Sequence, residues 1–335
     1  MKKITLSHSD YKLLYQIFSM KEKTLLQFAA KVVVNFYEPN KIHFTRNFIY
    51  AEGTIPIALV CHLDTVHSRP VQKLFHDQSQ TTLWSPDGLG ADDRAGVFGI
   101  FKILEAGYLP TVIFCCQEET GGRGAKALIE KFPKPLSKVN FMIELDRQGR
   151  DDAVFYDCDN PEFEEYITKF DFVSDWGTYS DIATIAPSWE CAAVNLSIGY
   201  FDEHSYAEHL NYTYMFQTIE KVKKILDAEL VEEHPFKYIP IISSERGWDL
   251  YFKHKYGVAT TVKCDGCGQM VDSIYSVPVF EGSQTLHYCS ECMDLHLDWC
   301  YSCGEPYRHH GEHNTLYCPD CRRKYVNKKE DDIRV

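Results

Sequence analysis

The chain has 335 residues, 44% of them hydrophobic and 25% charged, enough for one large core and a second, smaller one. Its formal net charge of −13 argues against a surface that tracks nucleic-acid phosphates. The opening MKKITLSHSDYKLLYQIF is broken by His8, Asp10, Lys12 and Gln16, so neither a secretory leader nor a membrane span is expected, and the reading is cytoplasmic.

Residues 9–38 read as two helices, the second with Leu25, Phe28, Ala29, Val32 and Val33 on its apolar face. KIHFTRNFIY and then IPIALVCH read as strands, the latter almost continuously apolar and therefore buried in a sheet. It ends at His62, with Asp64 and His67 following. Residues 71–84 are polar and mixed, suited to a short strand and loops. WSPDGLGADDRAG then places Asp92 and Asp93 where a glycine-rich turn meets a helix expected over 95–106. TVIFCC is a further strand, running into Gln117, Glu118 and Glu119 ahead of a glycine-opened helix. VNFMIEL leads to Asp146, AAVNLSIGYF leads towards His204, and residues 211–230 give a last helix. Four apolar strands thus each end in acidic or histidine residues, with helices between them. In an open α/β sheet ligands bind beyond the carboxyl ends of the strands, so these endings are expected to converge.

His62, Asp92, Glu119, Asp146 and His204 are two imidazoles and three carboxylates, donors that suit zinc, cobalt or manganese. Five such groups exceed the needs of one tetrahedral zinc with an open position, and they suffice for two ions if one carboxylate bridges. Two ions about 3.5–4 Å apart can activate a water and polarise the carbonyl it attacks. An unligated carboxylate must then take the proton, and Glu118 stands beside Glu119. With HLDTV at 62–66, GADDRAG at 90–96, EETGGRG at 118–124, ELDRQG at 144–149 and NLSIGYFDEHSYAE at 195–208, the chain resembles the dinuclear zinc metallopeptidases, the aminopeptidases, carboxypeptidases and deacylases of peptidase families M20, M28 and M42.

That resemblance implies an α/β, three-layer zinc-peptidase (phosphorylase/hydrolase-like) domain with a central mixed sheet. It implies that His62 and Asp146 bind the first ion, that Asp64 orients His62, and that Asp92 bridges through a cis peptide to Asp93. Glu118 becomes the general base, and Glu119 and His204 bind the second ion, with His209 as the alternative last ligand. Only 57 residues, 147–203, lie between Asp146 and His204, too few for an inserted lid, so the domain is expected to be compact and M28-like. Asp175, Asp181, Asp202 and Glu203 are candidate acceptors for a substrate ammonium. Arg94, Arg123 and Arg147 are candidates for a substrate carboxylate. SDWGTYSD at 174–181 resembles the family's substrate-side loop and tilts the reading to aminopeptidase. An N-acyl amino acid deacylase or carboxypeptidase, or an inactive peptidase-like protein acting through its tail, are the alternatives.

The tail carries Cys264 with Cys267, Cys289 with Cys292, Cys300 with Cys303 and Cys318 with Cys321, four CxxC pairs. They read as two structural zinc sites of four cysteines each, in a zinc-ribbon-like domain over 263–335 that folds on its metal. The remaining divisions are a catalytic domain over 1–232 and a linker over 233–262. The expected partners are a small peptide or N-acyl amino acid as substrate and a protein docked on the tail.

Overall fold

In the computed structural model, which describes residues 6–240, 261–272, 276–281, 284–289, 292, 296–299, 306–308 and 319, the four apolar runs lie side by side. The elements in chain order are α1 (His8–Phe18), α2 (Glu22–Val33), β1 (Ile42–Phe44), β2 (Phe48–Ala51), β3 (Ile55–His62), β4 (Phe75–His76), β5 (Thr82–Trp84), α3 (Ala91–Glu105), β6 (Pro110–Cys115) and α4 (Arg123–Lys131). There follow β7 (Phe141–Arg147), β8 (Asp152–Val154), α5 (Pro161–Thr168), β9 (Val173–Asp175), α6 (Asp181–Trp189), β10 (Ala193–Ser197), β11 (Tyr200–Phe201), β12 (His209–Asn211) and α7 (Tyr212–Val231). Eight strands form one mixed sheet in the order β1-β2-β6-β3-β7-β10-β8-β9. Its centre, β6-β3-β7-β10, is parallel throughout, so the four sequence-predicted strand ends open at one edge.

Strand alternation builds two apolar layers around this sheet. Ile57, Leu59 and Cys61 of β3 face the side covered by α1, α2, α3, α5 and α7, whereas Ala58 and Val60 face α4 and α6. All five are fully buried, and each large side chain so placed contributes about 1.5–3 kcal/mol. In β7 the same alternation puts Phe141, Ile143 and Leu145 on the first side, and Met142 on the second. A separate four-stranded sheet, β11-β12-β5-β4, gathers the polar 71–84 segment and the residues that flank His204.

The chain divides into two units, 1–240 and 241–335. The first runs past residue 232 because the 233–240 strap is bonded down. Buried Glu229 accepts the His234 N–H and the Asn140 side-chain amide, while Phe236 exchanges backbone bonds with Asn140 and Ala192. In the second unit, short hairpins pair Thr261–Lys263 with Met270–Asp272, Ser276–Glu281 with Gln284–Cys289 and Leu297–Trp299 with Pro306–Arg308. Its small core is made of Cys264, Val279, Tyr288, Cys289, Cys292 and Leu297. Among the described residues no helix is long and apolar enough to cross a membrane.

The helix that follows the aspartate pair approaches β7 so closely that Gly96 has no room for a side chain. A Cβ there would stand 2.3 Å from Asp93 Oδ1 and 2.5 Å from the Leu145 carbonyl. Gly96→Ala is therefore expected to destabilise the protein by about 1–3 kcal/mol, read as a lower midpoint in urea unfolding.

Candidate active site

The structure brings His62, Asp92, Glu119, Asp146 and His204 together at the carboxyl edge of the parallel strands. His62 ends β3, Asp146 lies near the end of β7, and Glu119 follows β6. Asp92 opens α3 with non-helical backbone angles, φ −78° and ψ 106°, and its peptide to Asp93 is cis. His204 comes from the loop between β11 and β12. Gln117, immediately before Glu118, and His204 both hold left-handed backbone, each with φ 60°. Such residues cost of order 1–3 kcal/mol each and persist where the surroundings over-determine them.

The donor atoms form two sets that share one residue. His62 Nε2 lies 3.0 Å from Asp92 Oδ1 and 3.6 Å from Asp146 Oδ1. His204 Nε2 lies 3.2 Å from Asp92 Oδ2 and 3.0 Å from Glu119 Oε2. Each Asp92 oxygen thus faces a different imidazole, and each imidazole has a second carboxylate of its own. Donor atoms about 2.0–2.1 Å from a tetrahedral zinc are about 3.3 Å apart, and the four separations bracket that figure, so the residues fit a pair of divalent ions.

The electrostatics ask for positive charge at the same place. Burial alone would depress the basicity of His62, but Asp146, with Asp64 and Asp92, drives it well above the ordinary imidazole range. Asp92 and Glu119 push His204 up to about 11. Glu118 is pushed up to about 7 by burial, then by Glu119, Asp92 and Asp64, against the opposing effect of His62. Glu119 Oε1 is buried without a hydrogen-bond partner.

Neighbouring groups fix these residues. Asp64 Oδ1 sits 3.3 Å from His62 Nδ1. The same carboxylate accepts the Glu118 N–H at 3.0 Å and the Glu119 N–H at 3.2 Å, tying three site residues to one side chain. Asp93, fully buried, accepts the His62 N–H and the Gly96 N–H, both at 3.0 Å. Asn195 clamps the Asp146 backbone, accepting its N–H at 2.8 Å and donating to its carbonyl at 2.7 Å. Beneath the site Glu144 and Asp181 are fully buried and each is pushed up to about 8, burial being the first cause for both. Ser180 Oγ donates to Glu144.

In the tail the sulfurs of Cys264, Cys267, Cys289 and Cys292 lie within 4.8 Å of one another and none is in a disulfide. Cys267 Sγ is 3.8 Å from Cys289 Sγ, matching the edge of about 3.8 Å for a tetrahedron with Zn–S bonds of about 2.3 Å. The Cys264 thiol is brought down to about 6, burial opposing, as the N–H groups of Cys267, Cys289 and Gly266 stabilise its thiolate. Cys300, Cys303, Cys318 and Cys321 lie outside the described residues.

Comparison with solved structures finds the same architecture. No family model and no curated protein matches the chain in sequence. A tripeptidase from Staphylococcus aureus superposes with a TM-score of 0.53 at 13% identity, over 67% of this chain and 98% of that one. An aminopeptidase from the archaeon Desulfurococcus kamchatkensis gives 0.52 at 14% identity over 69% and 99%, and aminopeptidase PepT from Bacillus cereus gives 0.50 at 14% over 66% and 97%. The chain shares its fold with these three solved enzymes.

Within this fold, several sequence expectations are corrected. Asp181 cannot receive a substrate ammonium, because it is buried at the start of α6. Asp175 is engaged by Arg147 at 2.7 Å. Glu203, by contrast, stays a candidate, half-buried with Asp92 and His204 as charged neighbours. Arg94 is 4% exposed and donates to the Phe18 carbonyl, so it lies behind the site and cannot reach a substrate carboxylate. His209 stacks on Phe201 with ring centroids 5.4 Å apart and Nδ1 3.6 Å from Asp202, turned away from the converging donors. His209→Ala is therefore expected to leave divalent-cation uptake unchanged, while His204→Ala lowers it by about one ion per chain, as equilibrium dialysis against zinc will measure.

Proposed function

We propose that the protein is a two-metal hydrolase that cleaves an amide bond of short peptides, of the aminopeptidase type, with a zinc-binding tail. The observation that carries this reading is the division of Asp92 between two imidazoles, each backed by its own carboxylate. His62, Asp92 and Asp146 would hold one divalent ion, and Asp92, Glu119 and His204 the other. Zinc suits this mixed nitrogen and oxygen set, with cobalt or manganese as substitutes. When bound, the ions supply Lewis-acid polarisation of the scissile carbonyl and acidify the attacking water.

The chain's own groups supply the remainder. Glu118, whose backbone N–H is held by Asp64 and whose carboxyl feels the charges of His62, Glu119 and Asp92, would take the water's proton and return it to the leaving nitrogen. Its raised proton affinity comes partly from neighbouring carboxylates, so bound cations would draw it back towards the ionised, proton-accepting form. Asp64 keeps base and ligand in register, since one carboxylate binds the N–H groups of both. Glu203 would meet a substrate ammonium, since it lies among the charges of Asp92 and His204. Arg147 is occupied by Asp175 and Arg94 is buried, which leaves exposed Arg123 as the one remaining arginine candidate for a terminal carboxylate; the preference for an aminopeptidase over a carboxypeptidase or deacylase rests on the SDWGTYSD resemblance.

In the tail, Cys264, Cys267, Cys289 and Cys292 would close around a structural zinc, whose binding energy is folding energy for so small a core. Metal analysis is expected to find about four ions per chain, two in the tail and two at the carboxylate centre. Glu118→Gln should keep all of them while lowering kcat by about 10²–10⁴-fold. Amino-acid amides and dipeptides with a free N-terminus should be turned over in preference to N-acyl amino acids. A panel in which only the acylated compounds react would reassign the protein as a deacylase.

A further inference from the structure

Glu208 follows His204 by four residues and is 1% exposed. Its Oε2 accepts the Gly90 N–H at 2.7 Å and lies 2.8 Å from His67 Nε2, while its Oε1 accepts the Asp92 N–H at 3.0 Å. Three donors from two distant segments thus converge on one buried carboxylate. The Asp92 N–H stands at the start of α3, where no earlier helical turn can satisfy it, and the backbone there is not helical. Glu208 takes the place of that missing turn with charge-assisted bonds, stronger than bonds between neutral groups.

The surrounding packing leaves the loop little freedom to move. Gly88 lies against the His67 ring, where a Cβ would come within 2.2 Å of Nδ1, and at Gly90 a Cβ would come within 2.9 Å of Thr65 Oγ1. Tyr206, two residues before Glu208, sets its ring 6.0 Å from His67. The loop bearing Asp92 therefore sits on the segment after β3 and is pinned there by Glu208. Asp93 holds the next residue from the other side through the His62 and Gly96 amides.

We infer that Glu208 is the positioning residue of the metal centre: it fixes the backbone from which Asp92 projects, and so keeps the two Asp92 oxygens aligned with His62 and His204. The inference rests on the two-metal reading above. It gives the His204 loop two duties, since the same short segment supplies a ligand to one ion and the clasp for the residue shared by both. A carboxylate that merely satisfied a helix end would add stability without affecting the ions. One that aims the bridge changes their affinity, because groups orienting a ligand typically govern 10- to 100-fold of metal binding.

The test is zinc affinity of the full-length chain, measured by competition with a chromogenic chelator, the tighter thiolate sites of the tail serving as a reference within the same molecule. Glu208→Ala is expected to weaken the carboxylate centre by about 10- to 100-fold and leave the tail zinc unchanged. Glu208→Gln can accept only one of the two N–H groups without opposing donor to donor, so its loss should be smaller. If Glu208→Ala shows no cooperative melt, Glu208→Gln decides alone, and native affinity in that variant overturns the inference. An unmutated chain that binds no ion pair at this centre removes the two-metal reading and this inference together. A native chain that binds both ions beside Glu208 variants that match it removes this inference only.

Discussion

One carboxylate serving two imidazoles is the constraint on which the site depends. Asp92 cannot face His62 and His204 at once unless its backbone leaves the helical path, and it cannot remain ionised in a pocket 8% exposed unless positive charge stands on both sides of it. The first requirement explains the non-helical start of α3 and the absence of a side chain at Gly96, where any Cβ would displace Asp93. Three acids around it are held by backbone amides. Asp64 takes the N–H groups of Glu118 and Glu119, Asp93 those of His62 and Gly96, and Glu208 those of Gly90 and Asp92. At Asp64 burial is outweighed by His62 and by the Glu118 N–H, which hold its carboxyl below the ordinary carboxylate range.

The sheet makes this arrangement structurally feasible. Its four central strands are mostly apolar on both faces, with Thr111 and Asn195 as buried polar exceptions, so a largely dry base ends in polar groups. Glu144 departs from that pattern. Alternation in β7 turns it towards α6, where it meets Ser180 and lies near Asp181, two acids that burial drives towards their neutral forms.

Much of this was legible in the sequence because the strongest signals were local. Continuous apolar runs marked β3, β6, β7 and β10, and the residues at their ends were the ones brought together. β8 and the edge strand β9 were not legible, because each has only three residues, too few to show a period. The helix α6 was hidden by Pro187 within it. The strap over 233–240 had no period to recognise, since it is held by Glu229, Asn140 and single backbone bonds rather than by a regular element. Asp181 misled because an acid in the expected segment says nothing of burial. Glu208 was visible only as the end of HSYAE, as its partners lie more than a hundred residues earlier in the chain and only folding shows that they are amides.

The loop between β11 and β12 also sets an order of assembly. His62, Asp92, Glu119 and Asp146 all precede it in the chain, yet the second imidazole and the Glu208 clasp arrive together in a few residues just before α7. During synthesis the earlier part of the unit can gather four carboxylate and imidazole groups but only half of their positive counterparts. The site therefore becomes complete in one late step, when the nascent chain has nearly completed its first unit.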